Sequence, residues 1–185
     1  MDDTPVDVIG IILAAIIMFI VPLILISERN DDLSQMIASS ATADFVNNVV
    51  KTGKITTDNY QNLVLSLQSS GNSYDIDLEV KILDENASKV VTDTDVKSVG
   101  NNAYYSIYTT QIEDRLQRSS ANSDLNYNGK LILKQGDVIT VTVKNTNLTL
   151  SQSLKNFFYT ISGNDTYTIA ASSGGLVLTT GNQVK

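Results

Sequence analysis

Asp124, Asn126 and Asn128, followed by Gly129, have the spacing of the first half of a calcium-binding loop. Such a loop places oxygen ligands at alternate positions and a glycine at its sharp turn. Its twelfth position, where a bidentate Glu is needed, is Gln135 here, and only one of these ligands is charged. A turn that precedes a strand accounts for the same residues more simply.

Other residues capable of chemistry are sparse. Asp93 and Asp95 are spaced like two metal-binding carboxylates on an extended segment, but no further ligand accompanies them, and a solvated loop is the simpler interpretation. The chain has no Cys and no His, which removes thiolate nucleophiles, Cys-ligated zinc and the commonest general base. No Ser lies in a GxSxG or SxxK motif. We therefore predict no enzymatic activity, no cofactor and no bound metal.

Length and charge narrow the class of protein further. The chain has 185 residues, which suits one domain with one appendage. Its formal net charge is −7. An acidic chain without a basic cluster lacks the electrostatic surface that binds phosphate backbones, so we expect no nucleic-acid partner.

The appendage is an apolar run over residues 8–27, VIGIILAAIIMFIVPLILIS, which carries no charge. A helix of this length covers about 30 Å, the thickness of a bilayer's hydrocarbon core. A signal peptide has a basic start and small residues at its cleavage site, whereas the flanks here are MDDTPVD and SERNDD. We predict a retained anchor, with a fully buried core helix as the alternative.

The orientation of this anchor rests on two opposing signals. Arg29, the basic residue beside the run, would place its C-terminal side in the cytoplasm. The rest of the chain is rich in Asn, Ser and Thr, as extracytoplasmic domains are, and long domains translocate largely regardless of flanking charge. We favour the domain outside.

Four residues in or beside the run are candidate assembly residues: Asp7, Gly10, Ala14 and Pro22. Thr4 is a candidate N-cap, which puts Asp7 near the free amides and the positive end of the helix dipole. Gly10 and Ala14 have the small-xxx-small spacing that lets a second helix approach closely. Pro22 deprives the carbonyl four residues earlier of its hydrogen bond and favours a kink.

The helix is expected to continue beyond the run, because apolar residues recur at helical spacing from Leu33 to Val50. This pattern predicts one helix over residues 4–52 that stops at Gly53, and two helices broken at SERNDD are the alternative. We divide the chain into an anchor or filament-core helix (residues 1–30), an amphipathic continuation (residues 31–54) and a globular α+β head (residues 55–185).

The head shows both helix and strand patterns. A capped helix is predicted over residues 56–67, and strict alternation predicts a strand over residues 74–83. Tyr104, Tyr108, Ile112 and Leu116 are at helical spacing, although a strand start fits residues 105–109 equally well.

The C-terminal part of the head is predicted to contain two hairpins and one more helix. One hairpin joins residues 130–134 and 138–144 through GlnGlyAsp, and the other joins residues 167–171 and 176–180 through SerSerGlyGly. Thr149 and Gln152 have capping-box spacing and open the helix. The whole is an α+β fold with a small, mostly antiparallel sheet.

The acidic start, the apolar helix with an internal proline, the amphipathic continuation and the α+β head together resemble the type IV pilin superfamily. DDLSQMIASSATADFVNNVVKTGKIT, LDENASK and QGDVITVTVKNTN resemble Tad-like pilins or minor pilins of Gram-positive bacteria, and TPVDVIGIIL is similar to archaeal pilin starts. Pro22 matches the kinking proline of the family. Asp7 resembles the carboxylate that pairs with a neighbouring subunit's amino terminus, with Asp in place of Glu; helix capping is its alternative role.

The resemblance implies a structural subunit of an extracellular filament or of its assembly complex. Such a subunit lies in the cell membrane before assembly and then polymerises through its N-terminal helix at the cell surface. Its expected partners are copies of itself or related pilins, the membrane and the pilus assembly machinery. The alternative function is a monomeric, single-pass, membrane-anchored binding module whose head recognises a protein or glycan.

Overall fold

The structure is a computed structural model that describes residues 4–84, 104–117, 129–149, 152–153, 156 and 168–181. Its elements, in chain order, are α1 (Thr4–Thr52), β1 (Lys54–Thr56), α2 (Thr57–Gln68), β2 (Tyr74–Leu83), β3 (Tyr104–Tyr108), α3 (Thr109–Gln117), β4 (Lys130–Ile132), β5 (Val138–Asn145) and β6 (Ala170–Leu176). The α+β fold with a long apolar helix and an antiparallel sheet is confirmed.

Several sequence-based predictions lie outside the described residues. They are the cap at Thr4, whose side chain is not described, the carboxylate pair Asp93 and Asp95, the possible calcium ligands Asp124, Asn126 and Asn128, and most of the helix that follows Thr149.

Helix α1 runs without interruption through SERNDD and through Pro22, so the single-helix prediction is confirmed. It ends at Gly53, whose φ of 65° lies in the left-handed region and whose amide donates to the carbonyl of Val49 at 2.8 Å. A side chain at this position would also collide with the backbone of Thr179 and Gly181. Glycine therefore both stops the helix and lets the C-terminal segment pass against it.

The sheet has the strand order β3-β2-β5-β6, and all its neighbours are antiparallel. Strand β2 has the predicted bounds and alternation, with Leu78 and Val80 fully buried. These side chains pack in one hydrophobic core with Phe45, Val46 and Val49 of α1. The second half of α1 is thus part of the head's core.

Local residues determine where helices α2 and α3 begin. The Thr56 side chain caps α2 by accepting from the amide of Asn59 at 3.2 Å. The sequence left a helix and a strand open over residues 104–116, and the structure contains both. Residues 104–108 form strand β3, and α3 follows directly. Ile112 and Leu116 are buried on α3, whereas Tyr104 and Tyr108 are exposed.

The predicted hairpin of residues 130–134 and 138–144 is wrong, although its tight turn exists. Strand β4 pairs with β1 in a separate two-stranded sheet, while β5 pairs with β2 and β6. The buried carboxylate of Asp137 accepts from the amides of Lys134 at 2.7 Å and Leu83 at 2.9 Å. The turn is therefore fastened to β2, and the chain crosses from one sheet to the other.

The predicted hairpin of residues 167–171 and 176–180 is also wrong, because SerSerGlyGly lies within the single strand β6. These residues pair with β5 in continuous register from Ala170 to Leu176. A Cβ at Gly175 would lie 2.7 Å from Cγ2 of Val50. The glycine provides room for α1 against the strand; it does not mark a turn.

This contact gives a test of the register. We expect Gly175→Ala to lower the free energy of unfolding by about 1–3 kcal/mol, because a methyl group is forced against a stiff Val side chain. Thermal unfolding of the full chain in detergent measures the change. Gly10→Ala is the matched control, since an added Cβ there meets no atom within 4 Å and, in a helix interior that favours Ala over Gly, should not lower the melting temperature. Equal melting of all three proteins would contradict the observed register.

Candidate functional site

The first half of α1, residues 6–27 (the apolar half), is exposed along its length. Met18 is 75% exposed and Phe19 is 72% exposed, and none of the helix's most apolar window is buried. This is one helix that is long and apolar enough to cross a membrane. So extensive an apolar surface marks a membrane or a protein contact.

The candidate assembly residues all lie on this exposed surface. Asp7, Gly10 and Ala14 follow one another at i, i+3 and i+7, so they share one face of the helix. Eight residues separate Pro22 from Ala14, which places Pro22 about 80° further around at 3.6 residues per turn. The structure thus brings three of the four residues together and leaves Pro22 on a neighbouring face.

Asp31 is the first residue along the described part of α1 that is buried, and it is only 1% exposed. One of its carboxylate oxygens accepts a hydrogen bond of 3.1 Å from the hydroxyl of Thr149. One turn further on, the Ser34 hydroxyl donates to the carbonyl of Asn30 and accepts from the side chain of Asn72 at 3.0 Å. Polar side chains therefore define the boundary between the apolar half and the head.

The predicted capping box of Thr149 and Gln152 forms at this boundary. The Thr149 hydroxyl accepts from the amide of Gln152, and the Gln152 side-chain oxygen accepts from the amide of Thr149, each at 3.1 Å. Because the same hydroxyl donates to Asp31, the capping box also joins the head to α1. The sequence predicted the cap but not its contact with the helix.

Gln35 makes a second connection that sequence reasoning missed. Its amide nitrogen donates to the carbonyl of Ala170 at 2.6 Å, and its oxygen accepts from the Ala170 amide at 3.1 Å. The side chain thus occupies the place of a neighbouring strand at the start of β6. A polar residue on an exposed helix face gives no sequence signal for a partner so far along the chain.

A cleft of about 410 Å³ lies between α2 and α3 and is lined by Tyr60, Val64, Leu65 and Glu113, among others. The Tyr60 hydroxyl donates to the Glu113 carboxylate at 2.6 Å. Burial, together with this hydrogen bond, holds the pKa of the Tyr60 phenol far above its usual value. Tyr60 therefore stays protonated and acts as a donor. Within the described ranges, no cluster of three or more acidic residues could hold a metal ion.

Comparison with known proteins adds no relative, since no family model, curated protein or solved structure matches this chain.

The boundary network predicts a measurable contribution from Thr149. Thr149→Val should lower the free energy of unfolding of the full chain in detergent by about 1–3 kcal/mol, because it leaves the buried Asp31 carboxylate and the Gln152 amide without their partner. Chemical unfolding measures the loss. Thr140→Val, a change of the same shape on strand β5, serves as the control and should change stability little. Equal stability of both variants would show that the network contributes nothing.

Proposed function

We propose that this chain is a pilin-like structural subunit of an extracellular filament, or of its assembly complex, and that it has no catalytic activity. The observation that supports the proposal is the exposed apolar half of α1, which is continuous with a helix segment buried in the head. The helix needs an apolar environment over its first half only. Lipid provides this environment before assembly, and copies of the same helix provide it in the filament.

Assembly then exchanges one apolar environment for another. Copies of the chain pack their apolar halves side by side, with the heads on the outside. The exposed face of Gly10 and Ala14 lets two helix backbones approach closely, and close packing is what associates helices that lipid solvates equally well. Related pilins and an assembly machinery in the membrane are the further partners that this function requires.

The rival function is a single-pass anchored binding module, because lipid alone also covers an apolar helix. Deletion of the gene separates the two. Loss of surface fibres in negative stain, with restoration by the intact gene, supports the filament subunit. Unchanged fibres, together with a chain that stays monomeric in detergent, support the anchored module.

Asp7 tests the mechanism of assembly. Asp7→Ala should leave the amount of chain in the membrane unchanged and abolish filaments, because the carboxylate pairs with a neighbouring subunit. Immunoblots of membrane and sheared fractions measure both quantities. Asp58→Ala, which removes an acid from the first turn of α2, is the control and should assemble normally. Loss of the Asp7→Ala chain itself would instead show that Asp7 only caps the helix.

Ala14 tests close packing of the helices. Ala14→Leu should reduce filaments about tenfold or more, because a large side chain separates two backbones that small residues bring together. Insertion into the membrane should not fall, since Leu is at least as apolar as Ala. Ala15→Leu makes the same change about 100° around the helix and is the control. Equal assembly of the two variants would rule out this face as the contact.

A further inference from the structure

Just beyond the apolar half, four exposed residues share one face of α1, at i, i+3, i+4 and i+7: Arg29, Asp32, Leu33 and Met36. Leu33 is 55% exposed and Met36 is 68% exposed. Leu33 follows the buried Asp31 by two positions, and Met36 follows the buried Ser34 by two. Two positions turn about 200° around a helix, so Leu33 and Met36 lie nearly opposite the side that faces the head. We call these four residues the junction face.

The junction face carries apolar surface where the predicted anchor has already ended. Leu33 and Met36 follow the charged sequence ERNDD, so they lie beyond the segment that spans the hydrocarbon core. The head does not cover them. Their exposure continues the apolar surface of α1 along the side that faces away from the head.

The charges of the junction face complement those of a copy of itself. Arg29 and Asp32 have opposite signs, and they are separated by about 4.5 Å along the helix axis at 1.5 Å per residue. Within the described residues no ion pair joins them, and a base that precedes an acid is the less favourable order within one helix. Two parallel copies offset by about this distance bring Arg29 of one copy level with Asp32 of the next.

We infer that the junction face is a contact between copies of this chain, in which Leu33 and Met36 pack against the neighbouring helix and Arg29 pairs with Asp32 of that neighbour. The inference rests on the proposed filament function and extends it past the membrane segment. The copies must be parallel, because their apolar halves share one layer. An ion pair beside apolar side chains favours one axial offset between the copies.

Charge exchange tests the pair. Arg29→Asp and Asp32→Arg should each reduce sheared filaments about tenfold or more, because like charges then meet at every contact. The double variant Arg29→Asp/Asp32→Arg should restore assembly, since it reverses the pair and keeps it complementary. Membrane levels of all three variants are measured alongside, so that loss of the chain is not taken for loss of assembly.

Cross-linking tests the contact without altering its charges. The chain has no Cys, so Met36→Cys introduces a single thiol. Oxidation of intact cells should give disulfide-linked dimers from Met36→Cys and none from Leu65→Cys, a control whose side chain is 62% exposed on α2.

The outcomes separate this inference from the function on which it rests. If the unaltered chain yields no filaments, the proposed function fails and the inference with it. If it assembles but the double charge variant stays defective, or Met36→Cys gives no dimers, the copies meet elsewhere and only the inference is overturned. Rescue by the double variant together with dimers from Met36→Cys supports it.

Discussion

The apolar half of α1 cannot remain in water, and this constraint governs the rest of the molecule. Covering a large aliphatic side chain is worth about 1.5–3 kcal/mol. The sum over residues 6–27 exceeds the roughly 5–15 kcal/mol that ordinarily holds a domain folded. In the part of the chain that the structure describes, none of the helix's most apolar window is buried, so lipid or other helices must cover it.

The boundary at Asp31 divides one continuous helix between two environments. On its N-terminal side, residues 8–26 are apolar all round and mostly exposed. On its C-terminal side, Phe45, Val46 and Val49 form part of the head's core, and the opposite face turns outward. The hydrogen bonds of Asp31 to Thr149 and of Gln35 to Ala170 hold the head at a fixed height on the helix.

The candidate assembly site was predictable in its composition, because it is local. The spacing of Asp7, Gly10 and Ala14 in a helix fixes that they share a face, whatever the rest of the chain does. The junction face was not predicted, since Leu33 and Met36 have the periodicity of core residues. Only the position of the head shows that this side of α1 is left uncovered.

The sequence by itself determined the elements whose causes lie within a few residues. Helical periodicity gave α1 its length, alternation gave β2 its bounds, and Thr149 with Gln152 formed the predicted cap. Tertiary structure alone decided the partners of the strands. The Gly-rich segments have the composition of turns. Gly175 nevertheless lies in a strand, where the absence of a side chain leaves room for Val50 of α1. The strands on either side of Asp137 do not pair with each other, because its carboxylate accepts a hydrogen bond from the amide of Leu83 in β2. Such choices depend on atoms far along the chain, which no local pattern specifies.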